Sequence, residues 1–189
     1  APGLLGESAH FDALLPYWLG AWAIQLTPSG GSPFFSVRVV FAGLLVLTLL
    51  AVWYGIYYLA RSPQAQPVSF AFGGEARPTD YARAIADGGL LAFLACLGLA
   101  QPSHEVSPAL AQLCFSALTL YAMAALAYRY WMPALLGTLG LVGLTLSGAP
   151  SLAILFGLLG ILVLATGQRD WSALHESDGY ETDPDASAA

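Results

Sequence analysis

The chain has 189 residues, of which 57% are hydrophobic and 10% charged, with a mean hydropathy of +0.66 and a formal net charge of −6. Soluble domains carry about 25% charged residues, so this composition excludes an ordinary water-soluble globule. All six basic residues are arginines, which excludes retinal and pyridoxal Schiff bases and a Walker-type phosphate lysine, and the acidic balance excludes nucleic acid, which requires basic patches.

The first apolar stretch is 11–26, FDALLPYWLGAWAIQL. It is short and Pro16 interrupts it, so it either crosses a bilayer or lies in the interface with Tyr17, Trp18 and Trp22 at headgroup level. A turn-rich loop, 27–33, follows. The longest uncharged run is Val39 to Ala60, VVFAGLLVLTLLAVWYGIYYLA. At helical rise it reaches about 33 Å, enough to cross a hydrocarbon core of about 30 Å. The span, taken from Ser36, ends in Trp53, Tyr54, Tyr57, Tyr58 and Arg61, an aromatic belt closed by a positive charge.

Residues 61–78 form the longest polar connection, and their Pro and Gly content opposes regular structure. Thr79 is placed as the N-cap of a helix running to about Ala100, with Asp80 in its first turn. A short polar loop, 101–107, holds His104 and Glu105. Ser107-Pro108 reads as an N-cap followed by Pro at the first helical position, opening a helix to about Tyr130. That helix ends in a second belt, Tyr128, Arg129, Tyr130 and Trp131. Two shorter apolar runs, 133–147 and 151–166, are separated by Gly148-Ala149-Pro150 and read as a tight helical hairpin. Six of the twelve acids lie from Asp170 onward, a composition that normally stays disordered.

The expected fold is therefore all-α: a polytopic bundle of five to six transmembrane helices. Its parts are an N-terminal segment (1–35), a transmembrane domain (36–167) and an acidic tail (168–189). Five of the six arginines (Arg61, Arg77, Arg83, Arg129, Arg169) fall on one side if each run crosses once, and Arg38 falls on the other. The positive-inside rule then puts the C-terminus in the cytoplasm of a bacterial-type inner or plasma membrane.

Ionisable residues inside a membrane are functional candidates by default. Asp87 lies one turn after Arg83, so the two share a helix face and form either an ion or proton relay or a paired interfacial carboxylate. Gln112, Ser116, Thr119 and Met123, on the 108–130 helix, form the most polar stripe of the long apolar spans. They serve either hydrogen bonding to a neighbouring helix or a solute path. Gly137, Gly140 and Gly143, with Gly157 and Gly160, recur every third residue. Such faces let helices approach closely, within the hairpin or against a partner, a lipid or a flat cofactor. His10, Asp12, His104, Glu105 and His175 are too dispersed to specify a metal or haem site, and no hydrolase motif is present. Cys96 and Cys114 read as buried small hydrophobes.

The function expected is that of a non-catalytic accessory subunit of a larger membrane complex, such as an energy-transducing one, with the bilayer and other membrane subunits as partners. The alternative is a small-solute transporter or channel using the polar stripe. No catalytic residue and no metal are assigned, and the sequence names no cofactor, pigment or quinone.

Overall fold

In a computed structural model the described residues are 13–28, 31–67, 76–96 and 107–178, with backbone alone from 166 onward. They are all helical, with no strand among them: α1 (Leu15–Gln25), α2 (Pro33–Ala60), α3 (Pro78–Ala95), α4 (Pro108–Ala125), α5 (Trp131–Leu146) and α6 (Pro150–Asp178). A single 3₁₀ turn, Pro63–Ala65, interrupts the polar connection after α2.

Every one of these α-helices has a proline in its first turn: Pro16, Pro33, Pro78, Pro108, Pro133 and Pro150. Pro is suited to that place, because its φ is preset for the helix and the N–H it lacks would have no intrahelical partner. Pro16 therefore opens α1 instead of interrupting it. Likewise α3 starts at Pro78 with Arg77 as its N-cap, so Thr79 lies inside the helix and does not cap it. Ser107 is the N-cap residue of α4 as its spacing predicts, but its hydroxyl caps nothing and is buried without a partner.

The α5–α6 hairpin has a defined stop signal. Gly148 takes φ 84°, a left-handed conformation in which a side chain is strained. The Ala149 amide donates to the Leu144 carbonyl at 3.0 Å and the Gly148 amide to Thr145 at 3.3 Å. These are the paired bonds of a Schellman C-cap, and Pro150 then starts the next helix.

α4 is the centre of the bundle. It packs against α2 on one side and α5 on the other, while α3 leans on α2, α6 on α5 and α1 on α2. Gly143 meets Phe115, Gly140 meets Thr119 and Gly137 meets Ala122, so numbers rise on one helix as they fall on the other and α4 and α5 are antiparallel. Gly55 of α2 lies against Tyr121, and the Tyr58 ring lies 5.2 Å from that of Tyr128. Numbers rise together there, so α2 and α4 run parallel.

The distribution of side-chain size is inverted relative to a water-soluble bundle. Twelve of the eighteen buried apolar residues among those described are alanines, and Leu110, Leu118, Leu144 and Phe41 are the few large aliphatic or benzyl groups fully enclosed with them. The large apolar side chains point outward instead, including Val39, Val46, Leu50, Leu91, Leu139, Ile154, Leu158 and Ile161. α1 repeats the pattern, burying Pro16, Gly20 and Ala23 and exposing Tyr17, Trp18 and Trp22.

By length and composition α2 and α4 are able to cross a membrane, whereas α5 and the apolar part of α6, Pro150–Ala165, are shorter. α1 has only 11 residues, about 16 Å at helical rise, too short to cross by itself. It is tied across one end of the bundle: the Leu14 amide donates to the Leu146 carbonyl at 2.9 Å, and the Thr27 hydroxyl lies 2.8 Å from that of Ser36.

α4 ends at Ala125, five residues short of the Tyr130 expected, because the chain must reverse before α5 begins at Trp131. The Tyr128 and Arg129 amides both close on the Ala125 carbonyl, at 3.0 and 2.9 Å. At the other extreme α6 continues to Asp178, so residues 168–178 are helical where the acidic composition suggests disorder. The segment contains Trp171, Ala173, Leu174 and Glu176, of which Ala, Leu and Glu are strong helix formers.

Candidate functional site

Asp87 and Arg83 do not pair. Arg83 lies 3.6 Å from Asp80, three residues before it, with both side chains exposed. An acid N-terminal to a base is the favoured order along a helix, and Asp80 also sits in the positive first turn, so Asp80 outcompetes Asp87. Asp87 instead accepts a hydrogen bond from the Trp53 indole N–H of α2 at 2.7 Å, joining α3 to α2 through an otherwise unpaired carboxylate.

The polar stripe of α4 is divided between two surroundings. The Gln112 amide nitrogen donates to the Ser147 carbonyl at 2.7 Å, joining the start of α4 to the end of α5. The Thr119 hydroxyl donates to the Phe115 carbonyl within its own helix at 2.8 Å and is buried against Gly140. Ser116 and Met123 turn the other way, into a groove of about 380 Å³. Ala51, Val52, Gly55 and Ile56 of α2 and Leu120 and Tyr121 of α4 form its floor, with Phe93 of α3 and Val163 of α6 on its walls.

The glycines separate in the same way. Gly137, Gly140 and Gly143 face α4, and a methyl group at Gly140 or Gly143 would strike Thr119 or the Phe115 ring. Among the described residues, Gly157 and Gly160 of α6 have nothing within 4 Å of the position a Cβ would take. Within the hairpin the two sets of glycines do not pack on each other.

The structure joins what the sequence presents as two aromatic belts. Trp53 stacks on Tyr57 at 5.5 Å and meets Tyr54 edge-on at 4.8 Å. Tyr54 and Tyr58 both reach Tyr121, at 6.3 and 6.1 Å, and Tyr58 reaches Tyr128. The Arg61 guanidinium lies over the Tyr128 ring, 5.5 Å from its centre, a cation–π geometry. Burial pushes the Tyr128 hydroxyl above its ordinary pKa, opposed by the charge of Arg61 and reinforced by Tyr57. Part of the signal for this assembly is present in the sequence: each belt contains an arginine and both fall on the same side of the expected topology.

A second, shallower groove of about 180 Å³ lies on the α5 side of the α2–α4 pair, lined by Leu47, Leu50, Tyr54, Leu118, Tyr121 and Leu136. Both grooves are almost wholly apolar in lining. Among the described residues no three His, Cys, Asp or Glu side chains come together as metal ligands. Cys114 is buried as expected, whereas Cys96 is exposed at the end of α3. His10, Asp12, His104 and Glu105 lie outside the described residues, as does the side chain of His175. Comparison with protein-family models, curated proteins and solved structures finds no match to this chain.

Proposed function

We propose that the chain is an integral membrane protein that serves as a non-catalytic subunit of a larger membrane assembly. The observation that carries the membrane reading is the inverted distribution of size: alanine and glycine inside, leucine, isoleucine, valine and tryptophan outside. In water so large an exposed apolar surface is a liability. In lipid it costs nothing, and helix association then depends on the close approach that small residues allow. In this reading α2 and α4, long and apolar enough by themselves, anchor the bundle in the bilayer; α3, α5 and α6 complete five crossings with the help of their flanking residues, and α1 lies along one surface with its Trp18 and Trp22 rings in the interface. Arg61 and Arg129 share one end of the bundle and Arg38 lies near the start of α2, an asymmetry that supports a cytoplasmic aromatic end.

The subunit reading is supported by how the polar stripe is used. Gln112 and Thr119 are occupied by bonds and packing, leaving Ser116 beside an apolar groove that opens sideways between α3 and α6. A solute path would be expected to gather polar groups at mid-depth. The open face of α6, with Gly157 and Gly160, is where a partner helix would seat. Gentle detergent extraction followed by native mass determination tests this reading. The expected result is co-migration with other subunits at a mass well above 19.8 kDa. A lone particle of one to three copies, together with loss of a solute flux in Ser116→Leu, would overturn it in favour of a transporter.

A further inference from the structure

We infer that the shallow groove on the α5 side of α2 binds one anionic phospholipid, its acyl chain along the groove and its phosphate on Arg61. This rests on the membrane reading above. Leu47, Leu50 and Tyr54 of α2 and its C-cap Arg61 fall at i, i+3, i+7 and i+14, so they form one stripe along the helix. In order along the axis the stripe is aliphatic, then aromatic, then cationic.

The opposite wall follows the same gradient, with Leu118 and Leu136 deep, Tyr121 above them, and Tyr128 under the Arg61 guanidinium at the end. Arg129, next to Tyr128 in the turn after α4, adds a second positive charge at this end. Among the described residues the one ion pair is that of Arg83 with Asp80, so neither Arg61 nor Arg129 has a carboxylate partner there. Arg61 is exposed and held by a tyrosine face, which leaves its N–H groups free to bind a phosphate in the two-pronged geometry a guanidinium provides. The shape and charge together fit an amphiphile with a single anionic head.

The test is lipid retention by the purified full-length chain reconstituted in vesicles of equal phosphatidylglycerol and phosphatidylcholine, then extracted gently and analysed for bound lipid. Phosphatidylglycerol is expected to be enriched over phosphatidylcholine. Arg61→Gln should reduce that enrichment about fivefold, the effect of one interfacial basic residue, and Arg61→Lys, which keeps the charge but loses the two-pronged geometry, should fall between the two. Leu50→Trp, which fills the groove and leaves both arginines, should lower retention of both lipids. An unchanged phosphatidylglycerol preference in Arg61→Gln overturns the inference. So does a wild-type chain without preference, as would occur if the chain's own acidic tail neutralised Arg61. A chain that never enters the vesicles refutes the membrane reading itself, whereas one that enters without headgroup preference refutes this site alone.

Discussion

Helices α5 and α6 each carry glycines three residues apart, yet α5 is closed against α4 while the corresponding face of α6 meets no other described residue. The difference lies in what stands opposite. α4 offers Ala122, Thr119 and Phe115 at the heights of Gly137, Gly140 and Gly143, so each glycine meets a side chain in register. Gly157 and Gly160 have no such counterpart among the described residues. A small-residue face thus allows close approach without naming the partner. The same division runs through the molecule: a closed side where α4 and α5 bond and interlock, and an open side where α3 and α6 flank a groove.

The strongest test of this contrast is a pair of matched substitutions. Gly143→Leu drives a side chain into the Phe115 ring, overpacking that costs about 3 kcal/mol or more. Thermal unfolding in mild detergent should show a large fall in Tm or no folded protein. Gly157→Leu adds the same side chain to open space and should move stability by about 0.5 kcal/mol or less. Its effect should appear instead as loss of co-purifying subunits. Equal destabilisation by the two would end the distinction.

A smaller effect is expected from Gln112→Leu, which deletes the bond to the Ser147 carbonyl on the closed side and should cost about 1 kcal/mol. Trp53→Phe removes the indole bond to exposed Asp87 on the open side, for about 0.5 kcal/mol at such a site. Urea or thermal melts of the two variants rank the two sides directly.

The smallest effect is a pH dependence at the aromatic end. The pKa of Tyr128 is raised by burial, so its folded value exceeds its unfolded value of about 10. Its contribution is then complete below about pH 10 and is lost as pH rises through the folded pKa. Alkaline melts of Tyr128→Phe should lack that part of the loss, and identical alkaline profiles would remove this tyrosine from the account.

Much of the helical order was legible in the sequence, because the long apolar runs and the turn residues between them are unambiguous. Val39 to Ala60 lies within α2, and Gly148-Ala149-Pro150 marks the α5–α6 turn. Two ends were misread for local reasons. Thr79 is a good capping residue, but Pro78 beside it starts a helix equally well, and the structure uses the proline. The Leu126–Tyr130 stretch has no Gly or Pro to announce that α4 stops at Ala125. Pairings were less legible than elements. Asp87 shares a face with Arg83 by spacing, yet Asp80 takes the arginine and an indole thirty-four residues away takes Asp87. The merging of the two aromatic belts depends on α2 and α4 lying parallel, which sequence spacing does not encode.

The central claim is that the leucine-rich exterior faces lipid and the alanine-rich interior does not. Labelling the protein in its native membrane with a lipid-soluble carbene reagent, then mapping modified residues by mass spectrometry, tests it most directly. Labelling is expected at Leu50, Leu139 and Leu158 and none at Leu110 or Leu144. Recovery of the chain in the soluble fraction, or labelling of Leu110 and Leu144 as heavily as Leu158, would contradict it.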